Sequence, residues 1–296
     1  MEDNLFNLRK LPATIIAQLG MLMVARLGTD KTSYMIVKDF IGFLSPEKVY
    51  KLSSIDISKI DDKLYSDAYK GSQITLVACD DATDPKNKPV NAINRLTSGQ
   101  KFTPPIHASL HGVWQKQKKI AKNNANILGG CGSFIDAETT ELDVPVIMAT
   151  DEALAFYGAY LVEFGQTVQF ESKQELPITL MEVGKTFVDN YLMLEGYGDG
   201  EYIEYHNEPH FWMHTSATDD GGHILLGREI DGVYYLTGFK IPPKCGIYAA
   251  PYVIHADSFL LGELLVVYTV AAEYSTVILE NKKNTPIKIN FYSQTT

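Results

Sequence analysis

Residues 200–214 read GEYIEYHNEPHFWMH, and the geometry of this stretch decides the fold. An extended chain sends alternate side chains to opposite faces. As a strand, the stretch therefore puts Glu204, His206, Glu208, His210, Trp212 and His214 on one side. Neighbours on that side sit about 6.7 Å apart, close enough to reach one ion, whereas residues four apart are about 13 Å apart. They meet only where the strand bends, and Pro209, which has no N–H for a sheet ladder, is the place for a bend. The alternative is a helix starting at Pro209, with His210 and His214 one turn apart.

The surrounding sequence favours strands. From about Asp143 onward, short apolar segments recur at near-even spacing. They are Val146–Ala149, Tyr160–Phe164, Thr167–Phe170, Ile178–Val183, Glu201–His206, His223–Glu229, Val233–Lys240, Ile247–His255, Leu260–Thr269, Ser275–Glu280 and Ile287–Tyr292. Thr150–Tyr157 reads as a brief helix stopped at Gly158. Asp231-Gly232 suits a type I′ hairpin turn, and Pro242–Gly246 is a second tight connection. Many short strands separated by turn residues predict a sandwich or barrel over residues 141–296.

The first 140 residues read differently. Residues 1–75 look mostly helical: Leu11–Ala25 suits a packed N-terminal helix, and Ser45-Pro46-Glu47 suits a helix start. Ser72–Ala78 is a strand candidate, and residues 80–105 hold four prolines and read as a long loop. His107–Leu128 reads as a helix carrying Leu110, Val113, Trp114 and Ile120, with Lys116, Lys118, Lys119 and Lys122 as a basic stripe. The expectation is thus an α+β protein with an α-rich N-terminal region (1–140) and a predominantly β C-terminal half (141–296).

Composition narrows the function. The chain has 296 residues, 45% hydrophobic and 21% charged, which suits a packed core. Lys+Arg is 26 against Asp+Glu 36, a net charge of −10, so duplex nucleic acid is not an expected partner. Leu11–Ala25 is too short to span a bilayer, so no membrane partner is expected either. Three cysteines without a CxxC pair fit a reduced, cytoplasmic setting and no structural zinc site. Gly129–Gly132 follows a supposed helix and is no phosphate loop, and no GxSxG elbow exists.

Candidate chemistry lies between 195 and 255. Five of the seven histidines are there: His206, His210, His214, His223 and His255. Nine carboxylates crowd Glu195–Asp231 with one guanidinium, Arg228, which suits either a salt bridge to Glu229 or Asp231 or a bidentate clamp on a substrate carboxylate. Imidazoles with carboxylates can ligate a transition metal or act as an acid–base pair.

These residues carry a resemblance to the cupin superfamily. Its usual first motif is similar to Gly200-EYIEY-His206-Asn-Glu208, PHFWM, His214, TSATDD, Gly221, with Glu208 in place of the second His and His214 near the Glu position. Its second motif is similar to Gly246-IYAA-Pro251-YVI-His255. Thr150-DEALAFY-Gly158-AYL is also similar to the entry segment of ureidoglycolate-lyase-like proteins, which are cupin-type barrels. The resemblance implies a double-stranded β-helix barrel with its site inside. It implies a divalent transition metal (Zn, Fe, Mn or Ni) on His206, Glu208, His210, His214 and His255, with His255, Glu204 and Arg228 as catalytic groups. Tyr234, Tyr248, Tyr252 and Trp212 would line the mouth. The implied function is an enzyme of lyase, isomerase or dioxygenase type acting on a small polar metabolite, such as an organic acid, ureido compound or sugar. Alternatives are a metal-free ureidoglycolate-type lyase using His255, and a degenerate, non-catalytic cupin that binds a ligand or a protein. A homodimer is a further expectation from the resemblance.

Overall fold

A computed structural model describes residues 11, 13–19, 24–54, 74–79, 84–93, 103–119, 131–136, 139–215, 221–269 and 271–293. Helix α1 (Ala13–Leu19) precedes β1 (Ala25–Leu27), β2 (Tyr34–Leu44), β3 (Val49–Ser54) and β4 (Ile74–Ala78). The short α2 (Val90–Ile93) leads to β5 (Ala108–Lys119), β6 (Cys131–Asp136) and β7 (Glu141–Met148). Helix α3 (Asp151–Tyr157) is followed by β8 (Ala159–Glu163), β9 (Thr167–Gln169), β10 (Leu176–Val183), β11 (Tyr202–His206) and β12 (His210–His214). The chain continues as β13 (Ile224–Ile230), β14 (Val233–Lys240), β15 (Cys245–Ala249), β16 (Ile254–Ala256), β17 (Gly262–Val267), β18 (Tyr274–Asn281) and β19 (Lys288–Ser293).

Three sheets stack on one another. One has seven strands in the order β1-β2-β10-β17-β12-β15-β8. The largest runs β13-β16-β11-β18-β6-β5-β14-β7-β19, and the hairpin pairing of β13 with β14 closes its first seven strands into a ring. Closure removes the exposed edges an open sheet would carry. The third sheet is β4-β3-β9. Both large sheets combine strands from before and after residue 140: β1 and β2 form one edge of the seven-stranded sheet, and β6 and β5 sit between β18 and β14 in the other.

Alternation along the strands sorts the core into layers. Inside the ring lie Leu110, Phe134, Ile203, Leu225, Leu236, Ile254 and Val277. The opposite faces of the ring strands, with Tyr202, Ile224, Leu226 and Phe239, pack on Met181, Trp212, Leu264 and Val266 of the seven-stranded sheet. Its far face, with Phe211, Met213 and Val267, covers Tyr50, Leu52 and Val168 of the small sheet. Each fully buried side chain of this size contributes about 1.5–3 kcal/mol.

Several expected elements appear where the turn chemistry placed them. Thr150 caps α3 by accepting from the Ala153 N–H, and Gly158 ends it in the left-handed region at φ 81°. Asp231 and Gly232 both have positive φ in the β13–β14 hairpin, as a type I′ turn requires.

The helix-rich reading of residues 1–140 does not hold among the described residues, which form six strands and two short helices, with one 3₁₀ turn at Pro85–Asn87. Ser45-Pro46-Glu47 makes the turn from β2 to β3, not a helix start, and Glu47 has φ 63°. His107–Leu128 is not a helix where described: β5 runs through it. Leu110 and Trp114 have the spacing of one helical face but also of one strand face, and Val113, which only the helix would bury, is 62% exposed. The side chains of Lys116, Lys118, Lys119 and Lys122, and residues Gly129, Gly130, Asp219 and Asp220, lie outside what the structure describes.

Candidate metal centre

Two corners build the site. At the first, β11 leaves the ring and β12 enters the seven-stranded sheet, with Asn207-Glu208-Pro209 between them. At the second, β15 leaves the seven-stranded sheet and β16 enters the ring. Proline at the first corner fits, because it has no N–H for either ladder. The corners are tied together: the Tyr252 N–H donates to the His206 carbonyl at 2.7 Å. His206 and His210 flank the first corner, and His255 follows the second. The bend that Pro209 suggested is therefore a change of sheet.

The three imidazoles meet in the layer between the seven-stranded sheet and the outer face of the ring, rather than inside the closed ring. Ring centroids are 4.9 Å apart for His206 and His255, 5.3 Å for His206 and His210, and 5.5 Å for His210 and His255. One nitrogen from each lies within 4.8 Å of the others. All three are buried, at 7%, 4% and 1% exposure for His206, His210 and His255.

The remaining nitrogens explain how the rings are aimed. His206 Nδ1 sits 2.6 Å from the Glu208 carbonyl and His255 Nδ1 sits 2.9 Å from the Val253 carbonyl. A carbonyl only accepts, so each Nδ1 carries the proton and each Nε2 presents a lone pair. His210 hydrogen-bonds the backbone of Val267 and stacks on Trp212 at 4.3 Å. This leaves His206 Nε2, His210 Nδ1 and His255 Nε2 as buried atoms without a hydrogen-bond partner. Three such orphans at one point are unusual, since a buried unsatisfied polar group costs about 1–3 kcal/mol. Backbone carbonyls fixing the tautomer of metal-binding histidines are a common supporting arrangement. Burial, with His255 next in effect, pushes His206 down to about 4. Burial also pushes His210 and His255 down. Neutral imidazoles are the form that ligates.

Acidic groups complete the surroundings. Glu204 faces the cluster from β11, with Oε1 3.7 Å from His255 Nε2, and its Oε2 accepts from the Thr276 hydroxyl at 2.8 Å. The adjoining cavity, about 20 Å³, has Glu204, Asp257, Arg26, Tyr202 and Tyr268 in its wall. That is room for about one water. Arg26 Nη1 donates to the Tyr202 hydroxyl at 3.1 Å, and Trp212 Nε1 and the Tyr202 hydroxyl both approach the Asp257 carboxylate at 3.4 Å. Burial, then the nearby Glu204, push the Asp257 carboxyl up.

The other expected site residues sit apart. Glu208 contributes its backbone carbonyl to His206, not its carboxylate. His214 is two residue pairs further along β12, next to the Glu263 backbone. Arg228 donates to the Phe156 carbonyl and lies 5.1 Å over the Phe156 ring, at a different cavity. Of the aromatics expected at a mouth, Trp212 is beside the histidines, Tyr248 is buried in the far layer, and Tyr234 and Tyr252 line that other cavity. Much of the acidic crowding is turn chemistry: Asp199 accepts from the Gly196 N–H and Glu229 from the Gly232 N–H. Arg26, Tyr202, Asp257 and Tyr268 escaped the sequence reading. Asp257, two residues after His255, was detectable by strand parity, whereas Arg26 lies in a segment whose helical reading gave it no face.

Among the described residues, the structure therefore contains a β-barrel beside a buried three-histidine cluster compatible with a metal site. Comparison of the chain with family models, with curated proteins and with solved structures finds no match.

Proposed function

We propose that the chain is a cupin-like metalloprotein in which His206, His210 and His255 hold one divalent transition ion. The observation that carries this is the convergence of three buried imidazole nitrogens without hydrogen-bond partners, whose opposite nitrogens are anchored to the backbone. Imidazole donors suit zinc, iron and nickel, while manganese prefers more oxygen ligands. The cupin-like part is supported by the two motif-like segments, 200–214 and 246–255, whose corners touch through Tyr252 and His206.

A bound ion would act as a Lewis acid on a small polar molecule and acidify a coordinated water. This chain's residues would supply the rest. Glu204, aimed by Thr276, is the group placed to accept a proton or complete the ligand set. The buried Asp257, held toward its neutral form, is placed to donate a hydrogen bond. Arg26 and Tyr202 would fix the polarity of the far wall.

The water-sized cavity supports a second reading, in which the ion is structural and no substrate enters. The two are separable. Protein purified without a His tag should contain about one equivalent of metal, lost in His206→Ala and His255→Ala. Unchanged metal content in both variants overturns the ligand assignment. Azide added to the cobalt-substituted protein should change its visible spectrum if a coordination position is open, as catalytic sites require. No change favours the structural reading.

A further inference from the structure

The mouth of the closed ring holds a second, larger cavity, about 620 Å³ in volume, that the histidine cluster does not use. On β11 and β16 the two sites occupy opposite faces: Glu204, His206 and His255 point outward from the ring, and Tyr205 and Ile254 point inward. Trp114 reaches across the ring from β5, where its Nε1 donates to the Ser275 hydroxyl at 2.9 Å. It forms the floor, stacked near-parallel on Tyr234 at 6.0 Å and 5.1 Å from Tyr205. Tyr252 continues the wall, 6.4 Å from Tyr205, and is 55% exposed. Its backbone is held in the left-handed region, φ 67°, a conformation uncommon for an aromatic residue. The two bonds that fix it are its N–H to the His206 carbonyl and its hydroxyl to Glu273 Oε2 at 3.1 Å.

Among the described residues, two carboxylates and one guanidinium stand at or beside this wall. Glu229, on the inward face of β13, lines the cavity, and Glu273 accepts from the Tyr252 hydroxyl at the aromatic wall. The lining guanidinium, Arg228, donates to the Phe156 carbonyl and lies over the Phe156 ring. The faces of Trp and Tyr rings attract cations, more so with the solvent partly removed. Cavities of this volume in barrel mouths, mostly apolar with a few polar groups, are the usual shape of small-ligand sites.

We propose that this mouth binds an organic cation, an alkylammonium group carried on a small organic body. The ammonium sits against Trp114, Tyr205, Tyr234 and Tyr252, with Glu229 and Glu273 as counter-charges. This inference does not rest on the metal reading, because no histidine of the cluster lines the mouth.

The test compares choline with its neutral isostere, 3,3-dimethylbutan-1-ol, by calorimetric titration of the full chain, metal-free and zinc-loaded. Choline should bind, and the alcohol should bind about tenfold or more weakly, as a cation–aromatic contact implies. Glu229→Gln, which keeps the acceptor for the Gly232 N–H, and Tyr252→Leu, at an exposed position, should each weaken choline binding about three- to tenfold. Thermal unfolding of Glu229→Gln should match the parent, and Tyr252→Leu, which loses the bond to Glu273, should still unfold cooperatively well above the titration temperature, so lost affinity is not lost fold. Equal binding of choline and the alcohol overturns the proposal in favour of a neutral-ligand cavity. Absence of choline binding at millimolar concentration, or unchanged affinity in both variants, overturns it outright.

Discussion

Replacing His206 by glutamine tests whether the cluster is held neutral by burial. His206 is 7% exposed, its Nδ1 proton is held by the Glu208 carbonyl, and its Nε2 has no partner. Burial, then His255, push it down to about 4 from 6.5. A histidine of the unfolded chain titrates near 6.5. Above pH 6.5 both states are neutral and His206 contributes no pH dependence. Between about 6.5 and 4 the unfolded chain binds a proton that the folded chain refuses, so stability falls as pH falls. The difference of about 2.5 pH units corresponds to roughly 3 kcal/mol at about 1.4 kcal/mol per unit. Glutamine retains an N–H for the Glu208 carbonyl and does not titrate. Whatever fixed change in stability His206→Gln causes above pH 7, the variant should therefore gain about 3 kcal/mol on the parent between pH 7 and 4. The assay is urea unfolding of chelator-treated protein at half-unit pH steps. A stability difference that stays flat across this range refutes the idea that the fold holds His206 as a neutral, buried ligand.

Other outcomes follow from the same structure. Glu201 is fully buried, with Oε2 accepting from the Ile289 N–H and Oε1 unpartnered, and burial pushes it up to about 8. The folded chain then keeps a proton that the unfolded chain loses above about 4.5, so stability is lost as pH rises toward 8. Glu201→Gln should gain roughly 4 kcal/mol on the parent between pH 5 and 9, read by the same unfolding series. A Cβ at Gly246 would sit 2.1 Å from Phe211 Cζ, so Gly246→Ala should destabilise by about 1–3 kcal/mol through overpacking, seen as a lower urea midpoint. Zinc at a hundredfold excess over its dissociation constant should stabilise the parent by about 2.7 kcal/mol and leave His210→Ala unmoved, measured by thermal unfolding with and without zinc.

The β half was legible because its turns have residue-specific chemistry. Asp231-Gly232, Thr150 and Gly158 act through their own φ values and side chains, and no distant contact can reassign them. The N-terminal half was misread because an apolar pair four apart satisfies both periods. Leu110 and Trp114 belong to a strand only because the ring supplies partners on both sides, which is information the local sequence lacks. The histidines were visible as a cluster, but parity along 202–214 alone could not choose among six same-face residues. The selection of His206, His210 and His255 comes from the corner at Asn207–Pro209 and its contact with the 250–253 corner, both tertiary features. Arg26 joins the site's wall through β1, far away in sequence and adjacent only through sheet packing.

X-ray absorption spectroscopy on the zinc-loaded protein tests the metal centre most directly. We expect a first shell containing three imidazole nitrogens at about 2.0–2.1 Å, with the imidazole scattering reduced in His206→Gln and His255→Gln. A shell of oxygen or sulfur without imidazole, or a spectrum that neither substitution changes, contradicts a metal centre at His206, His210 and His255.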